Sequence, residues 1–171
     1  MLKRFIFFIL FASIAGTAMA QNGEEESILK AAFIYNFTRY IDWGTDTEEN
    51  EFIIGIIGSS VIDNPITQLA RTNTVKNKRI SIRHFNRLED ISYCQILFIP
   101  QKCPFPLQSV LDKTGKGMLT ISEEPGMARL GTAFNFILVN DKLKFEANLK
   151  AIYSAGLKAG SQLLKLAIIV D

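Results

Sequence analysis

Phe52-Ile53-Ile54-Gly55-Ile56-Ile57, closed by Gly58-Ser59-Ser60, is the stretch on which the fold turns. A short apolar run rich in β-branched residues, with no polar alternation, fits a strand covered on both faces. Val61 to Ala70 then carries apolar residues at helical spacing, and Pro65 marks a place where that helix can begin. A doubly covered strand leading through a glycine turn into a helix is the opening of a layered α/β domain.

Downstream the alternation repeats. Arg79 to Phe85 reads as a second strand, with Ile80, Ile82 and His84 in alternation, and Ile96 to Ile99 as a third. Pro104 and Pro106 introduce a helix containing Val110 and Leu111, and Gly117 to Ile121 makes a fourth strand. Ala133 to Val139 and Leu143 to Ala147 are β-rich runs joined by Asn140-Asp141-Lys142, the composition of a tight hairpin turn. Asn148 to Gly156 reads as a helix. Ser161 is placed to cap a last one through Leu163, Leu164, Leu166 and Ala167, with Ile168 to Val170 open to either helix or strand.

Upstream, Leu29, Ala32, Phe33, Asn36/Phe37, Tyr40 and Ile41 recur at three and four residue intervals, one face of an amphipathic helix over 24–41. Glu24, Glu25 and Glu26 suit its N-terminal end. Asp42-Trp43-Gly44 stops it, with Gly44 free to turn left-handed. The expected architecture is a single α/β domain over 21–171: a layered sheet with helices on both faces, and a C-terminal β-hairpin followed by helix.

Residues 1–20 read as a cleavable secretory signal, with Lys3 and Arg4 at the start, an apolar run from Phe5 to Ile14, and Ala18-Met19-Ala20 at the exit. That run is about ten residues, against roughly 20 for a membrane span. An uncleaved signal anchor is the alternative. Of the 19 Lys and Arg residues two lie in this segment, leaving 17 against 17 acidic ones. Such a balance gives no electrostatic case for nucleic acid or an anionic membrane surface. Export also removes the ATP supply, and with it nucleotide-driven chemistry.

Cys94 and Cys103 would meet an oxidising compartment, where a bridge between them, free thiols or an intermolecular link are all open. The intervening strand opposes the bridge, because it carries the chain away at about 3.3 Å per residue. One histidine and no Cys-x-x-Cys pair leave no metal site, and no cofactor is expected. A hydrolase triad could use only His84, and no Gly-x-Ser-x-Gly elbow presents a serine. Glu123 and Glu124 form a carboxylate pair in a turn before Pro125-Gly126. Ligands of open α/β sheets bind at the carboxyl ends of the strands, which gathers Gly58, Ser59, Ser60, Ser122 and Glu123 as candidates. Asn36 and Asn148 are polar within apolar patterns and are expected to satisfy buried backbone groups. Trp43, the only tryptophan, is either a plug at the helix end or an anchor for a partner.

Three blocks carry a resemblance: Lys30 through Trp43 (KAAFIYNFTRYIDW), Cys94 through Ile99 (CQILFI), and Gly131 through Ala167. The last contains Phe145-Glu146-Ala147-Asn148-Leu149, Ala155-Gly156-Leu157 and Leu163-Leu164-Lys165-Leu166-Ala167. The chain resembles the YfiR-like family of secreted bacterial proteins. It departs at Gly44, where the family usually has Pro, and at Gly131-Thr132, where it usually has a glycine pair. The resemblance implies a periplasmic, non-enzymatic regulator. Characterised members repress a membrane-bound diguanylate cyclase by contacting its periplasmic sensor domain, lowering cyclic-di-GMP signalling and biofilm matrix production; others look like partners of sensor kinases. Expected partners are therefore the periplasmic domain of a diguanylate cyclase or histidine kinase, or a second copy in a homodimer. The alternatives are a small-molecule sensor with its pocket at the strand ends, and a small exported hydrolase using His84.

Overall fold

The computed structural model describes residues 23–44 and 50–170. The signal segment expected over 1–20 lies outside them. Helix α1 occupies residues 23–40, with Glu24 to Glu26 in its first turn as the dipole argument requires. Its inward stripe is Ala31, Ile34 and Phe37, continued by Ile41 just past its end, all buried. This corrects the face read from sequence by about one position. Leu29, Asn36 and Tyr40 point to solvent, and the stripe includes Lys30 and Thr38. Thr38 fits there because its hydroxyl donates to the Tyr35 carbonyl at 2.6 Å, which is back-bonding within the helix.

The chain then forms β1 (Ile41–Asp42), β2 (Glu51–Ile57), α2 (Asp63–Thr72), β3 (Thr74–Val75), β4 (Lys78–Phe85), β5 (Ile96–Ile99), α3 (Leu107–Leu111) and β6 (Leu119–Ser122). It continues through β7 (Phe134–Val139), β8 (Lys142–Asn148), α4 (Leu149–Ser154), β9 (Lys158–Ala159), α5 (Ser161–Leu164) and β10 (Ile168–Val170). Eight strands make one sheet in the order β10-β8-β7-β6-β5-β2-β4-β3. Strands β4, β2, β5, β6 and β7 run parallel, the hairpin reverses direction at β8, and β10 lies parallel to β8. The hairpin turn is made by Asn140 and Asp141, both at positive φ as a type I′ turn demands.

Because β2 is central, its residues alternate between two cores. Phe52, Ile54 and Ile56 join Ile96, Phe98, Leu119, Ile121, Phe134 and Phe136 under α1 and α2. Ile53 and Ile57 join Phe85, Cys94, Leu97 and Val110 on the opposite face, where α3 sits. Helices therefore cover both faces. On the α1 side the aromatic rings mesh: Phe37 lies 4.7 Å from Phe134 and 5.0 Å from Phe145 between centroids. Gly55 is the one small residue in β2, and a Cβ there would stand 2.5 Å from Phe85 Cε2 and 2.9 Å from Cys94 Sγ. The glycine is what lets β4 and the Cys94 thiol close over the strand.

Several local expectations are refined. Helix α2 begins at Asp63, two residues before Pro65; its cap residue Ile62 makes no side-chain cap bond, and Asp63 Oδ2 accepts the Ser60 amide at 3.0 Å in the turn ahead of the helix. Ser161 is the first residue of α5 and Gly160 occupies the cap position, with no side-chain cap bond. Ile168 to Val170 is strand. The pairing of β1 with β9 and the strand β3 have no counterpart in the sequence reading.

Candidate functional site

The carboxyl ends of β2, β5 and β6 open beneath the first half of α1, and the charged residues there are held in a chain. Lys30 on α1 donates at 2.6 Å to Glu26 Oε1, one helical turn back, and at 2.6 Å to Glu123 Oε2, just beyond β6. Glu123 Oε1 in turn accepts the Gln101 amide at 3.1 Å, just beyond β5. The Lys30 and Glu123 side chains are buried. Burial alone would lower the Lys30 pKa, but hydrogen bonds to Glu123 and Glu26, reinforced by their charge, leave it above the ordinary lysine value. The ammonium is thus fixed in its charged form.

Two clefts flank this chain and share Glu26, Lys30, Gln101 and Glu123. One, of about 600 Å³, runs between α1 and α2, walled by Ile28, Val61 and Pro65 with the Asn64 and Gln68 amides beside them. The other, of about 560 Å³, runs toward the hairpin against Pro125, Phe136, Leu138 and Leu143. Ile28, Val61 and Leu138 are exposed apolar side chains on these rims. Apolar walls around a few fixed polar groups can take a small ligand or a protruding partner side chain.

Of the residues read as ligand-binding candidates, Glu123 alone borders both clefts. Ser122 is turned inward: its hydroxyl lies 2.8 Å from Thr132 Oγ1 and donates to Asn135 Oδ1 at 2.8 Å. The backbone amides of Gly58 and Ser60 in the turn after β2 are already engaged, Gly58 with the Phe85 carbonyl and Ser60 with Asp63. Ser59 is exposed and borders neither cleft. Lys30, Glu26 and Gln101 escaped the sequence reading; the available signal was the four-residue spacing of Glu26 and Lys30.

His84 Nε2 pairs with Asp63 Oδ1 at 3.1 Å, tying β4 to the first turn of α2. A hydrolase would use Asp63 as its acid, but Ser60 offers that carboxylate its amide while its hydroxyl accepts from the Ile62 amide at 3.4 Å. Cys94 and Cys103 are free thiols, so the bridge considered between them is not formed. Burial pushes the Cys94 thiol up to about 12 against the pull of the Gly55 amide, and burial also raises Cys103. Asn148 caps α4 by accepting the Ala151 amide at 2.9 Å and donates to the buried Ala128 carbonyl at 2.7 Å. Asn36, by contrast, is exposed, which corrects its reading as a buried amide. Trp43 is half-buried, donating from Nε1 to the Gln95 carbonyl at 3.2 Å and standing edge-on to Phe52 at 5.2 Å.

Among the described residues no group of three or more His, Cys, Asp and Glu side chains could hold a metal ion. No helix among them is long and apolar enough to cross a membrane. No curated protein matches the chain significantly. The blocks that carry the fold, from the Lys30 helix to the hairpin and the Asn148 cap, all fall within residues 27–168, and over that span the chain matches and belongs to the YfiR/HmsC-like family.

Proposed function

We propose that this chain is a periplasmic regulator that binds the periplasmic domain of an inner-membrane diguanylate cyclase or sensor kinase and represses it, without catalysing a reaction itself. The observation that carries this reading is the family match, which covers nearly the whole described fold. The exposed apolar side chains Ile28, Val61 and Leu138 on the rims beside the Lys30–Glu123 pair support docking, since an interface core is built of apolar anchors ringed by polar groups.

Repression by binding requires different affinities for two states of the partner. Moving it from mostly active to mostly inactive takes about 10⁴-fold preference, roughly 5.5 kcal/mol. An interface of standard size, about 1,600 Å², is large enough for that. The test is a pull-down of the tagged mature protein from detergent-solubilised native membranes after mild cross-linking. Recovery of a membrane protein with a cytoplasmic cyclase or kinase domain supports the reading. Equal affinity for the active and inactive forms of that protein would sink the mechanism.

A second reading is favoured by the two clefts themselves, which fall within the size range of small-molecule sites. In it the chain is a sensor whose ligand occupies the strand ends. A ligand-dependent rise in melting temperature that disappears in Glu123→Gln would support this reading.

A further inference from the structure

Residues 71–87 hold Arg71, Lys76, Lys78, Arg79, Arg83 and Arg87 and no Asp or Glu, in a chain whose charges otherwise nearly balance. This run forms the end of α2, then β3 and β4, at one end of the eight-stranded sheet. Strand β3 covers little of that end, because it pairs only with Lys78 and Arg79. From Ile80 to Phe85 the side of β4 away from β2 has no strand partner among the described residues. The Phe85 carbonyl accepts the Gly58 amide at 2.9 Å, so Phe85 turns its backbone groups toward β2. By the alternation of a strand, Ile82 and His84 turn their N–H and C=O groups outward. Side chains alternate as well. Ile80 and Ile82 pack with the core under α1 and α2, and Phe85 with the core on the α3 face, which places Arg79 and Arg83 on that second face. Both arginines are exposed. Arg79 is paired with Glu51; Arg83 reaches the Ser92 hydroxyl at 3.5 Å and has no carboxylate partner among the described residues.

We infer that the β4 edge takes up an extended segment of another protein, alternating acidic and apolar residues, as an added strand of the sheet. Main-chain bonds to Ile82 and His84 supply affinity in this mode, and alternate side chains supply the choice of partner. On the α3 face the acidic residues of the segment come beside Arg79 and Arg83; on the other face its apolar residues lie beside the half-buried Ile82. Charge selects this occupant. A second copy joined through the same edge would set Arg79 and Arg83 against their own counterparts, and like charges directly opposite destabilise a strand pair. Basic side chains on an edge ordinarily keep other strands away. Against an acidic segment the same side chains attract, so the device that excludes neutral and basic strands admits this one. The inference does not rest on the repressor reading: the segment is defined by its chemistry, and β4 lies on the far side of β2 from β6, beyond which the Lys30–Glu123 pair sits.

The probe is a dye-labelled synthetic peptide of about seven residues, the length of an ordinary strand, alternating valine and glutamate. Fluorescence anisotropy follows its binding to the mature protein, and deuterium uptake reads the amides of β4. The expected result is saturable binding that slows exchange at Ile82 and His84. Arg83→Glu should weaken it at least about fivefold, whereas Lys144→Glu, exposed on β8 across the sheet, should leave it unchanged. Circular dichroism checks that both variants fold. A peptide N-methylated at every residue keeps the charges and loses the donors, so it should not bind, and neither should a peptide alternating valine and lysine. Absence of saturable binding to the wild-type protein overturns the proposal. So does equal binding of the N-methylated peptide, which would reduce the edge to a patch of charge. Protection of the Ile82 and His84 amides that rises with protein concentration alone would assign the edge to a second copy and overturn it as well.

Discussion

Lys30 and Glu123, 93 positions apart in sequence, meet at 2.6 Å with both side chains largely withdrawn from water. The contact joins the first helix to the turn beyond β6, and Glu26 shares the ammonium from one helical turn back. Removing one member of a buried pair strands the other charge, whereas removing both leaves an apolar contact. Lys30→Met is expected to cost about 3 kcal/mol, while Lys30→Met combined with Glu123→Leu costs less than the sum of the single changes. Urea unfolding of the four proteins in a double-mutant cycle reads the coupling; additive losses would mean that the pair carries none.

The same pair sets an alkaline limit. The folded pKa of Lys30 is raised, so its contribution is fully present below the unfolded value, about 10.4, and is lost as pH rises through the folded value. Cys94 acts in the same direction, since its thiol stays neutral in the fold up to about 12 while an unfolded thiol ionises near 8.5. The melting temperature should therefore fall from about pH 9 upward. Cys94→Ala removes the earlier part of that fall and Lys30→Met the later part. Melting curves from pH 7 to about 11 that superimpose for all three proteins would contradict this account.

Thiol chemistry follows from the same burial. The thiolate is the reactive form, and both cysteines are pushed away from it, Cys94 the further. Under native conditions an alkylating reagent should modify Cys103 slowly and Cys94 only on unfolding. Mass spectrometry of pulse-labelled protein, digested and mapped, would show the order; rapid native labelling of Cys94 would exclude the packing described around Gly55.

Gly55 and Asn148 give the sharpest local tests. Gly55→Ala places a methyl group against Phe85 and Cys94 and is expected to cost about 2 kcal/mol, with part recovered in Gly55→Ala/Phe85→Leu. Asn148→Ala loses the α4 cap and one of two bonds to the Ala128 carbonyl, which keeps the Gly131 amide at 3.1 Å, about 1.5 kcal/mol together. Asn148→Asp keeps the cap alone and should fall between. Asn36→Ala, on the exposed face of α1, should change stability by less than about 0.5 kcal/mol. Chemical denaturation orders all five variants.

These contrasts also mark how far the sequence could be read. Phe52 to Ile57 and Ile96 to Ile99 were legible because a strand buried on both faces needs apolar side chains at every position, and a continuous run has no other cheap explanation. The hairpin was legible because Asn140-Asp141 suits positive φ. Helix α1 was legible as a helix and misread in phase, because Leu29, Phe33 and Tyr40 form a second apolar stripe beside the inward one. Lys30 broke that inward pattern, and only the tertiary contact with Glu123 makes a lysine tolerable there. Strands β1, β3 and β9 are two residues each, too short for any period to appear. The site was half legible: the location rule pointed to Glu123, but Gln101 takes part through its backbone amide, which no side-chain pattern announces.

The ring cluster under α1 has a consequence for how the protein comes into being. Phe33 and Phe37 belong to the first helix of the described chain, while Phe134, Phe136 and Phe145, the rings they close on, belong to β7 and β8. A chain made from its N-terminus presents that helix long before its partners arrive. Contacts so distant in sequence form late and slowly. In the interval the apolar face of α1 has nothing to rest on, and a chain in that state is the form most open to holding factors and to aggregation. The time between the emergence of Phe37 and that of Phe145 is therefore the vulnerable period in the life of this protein.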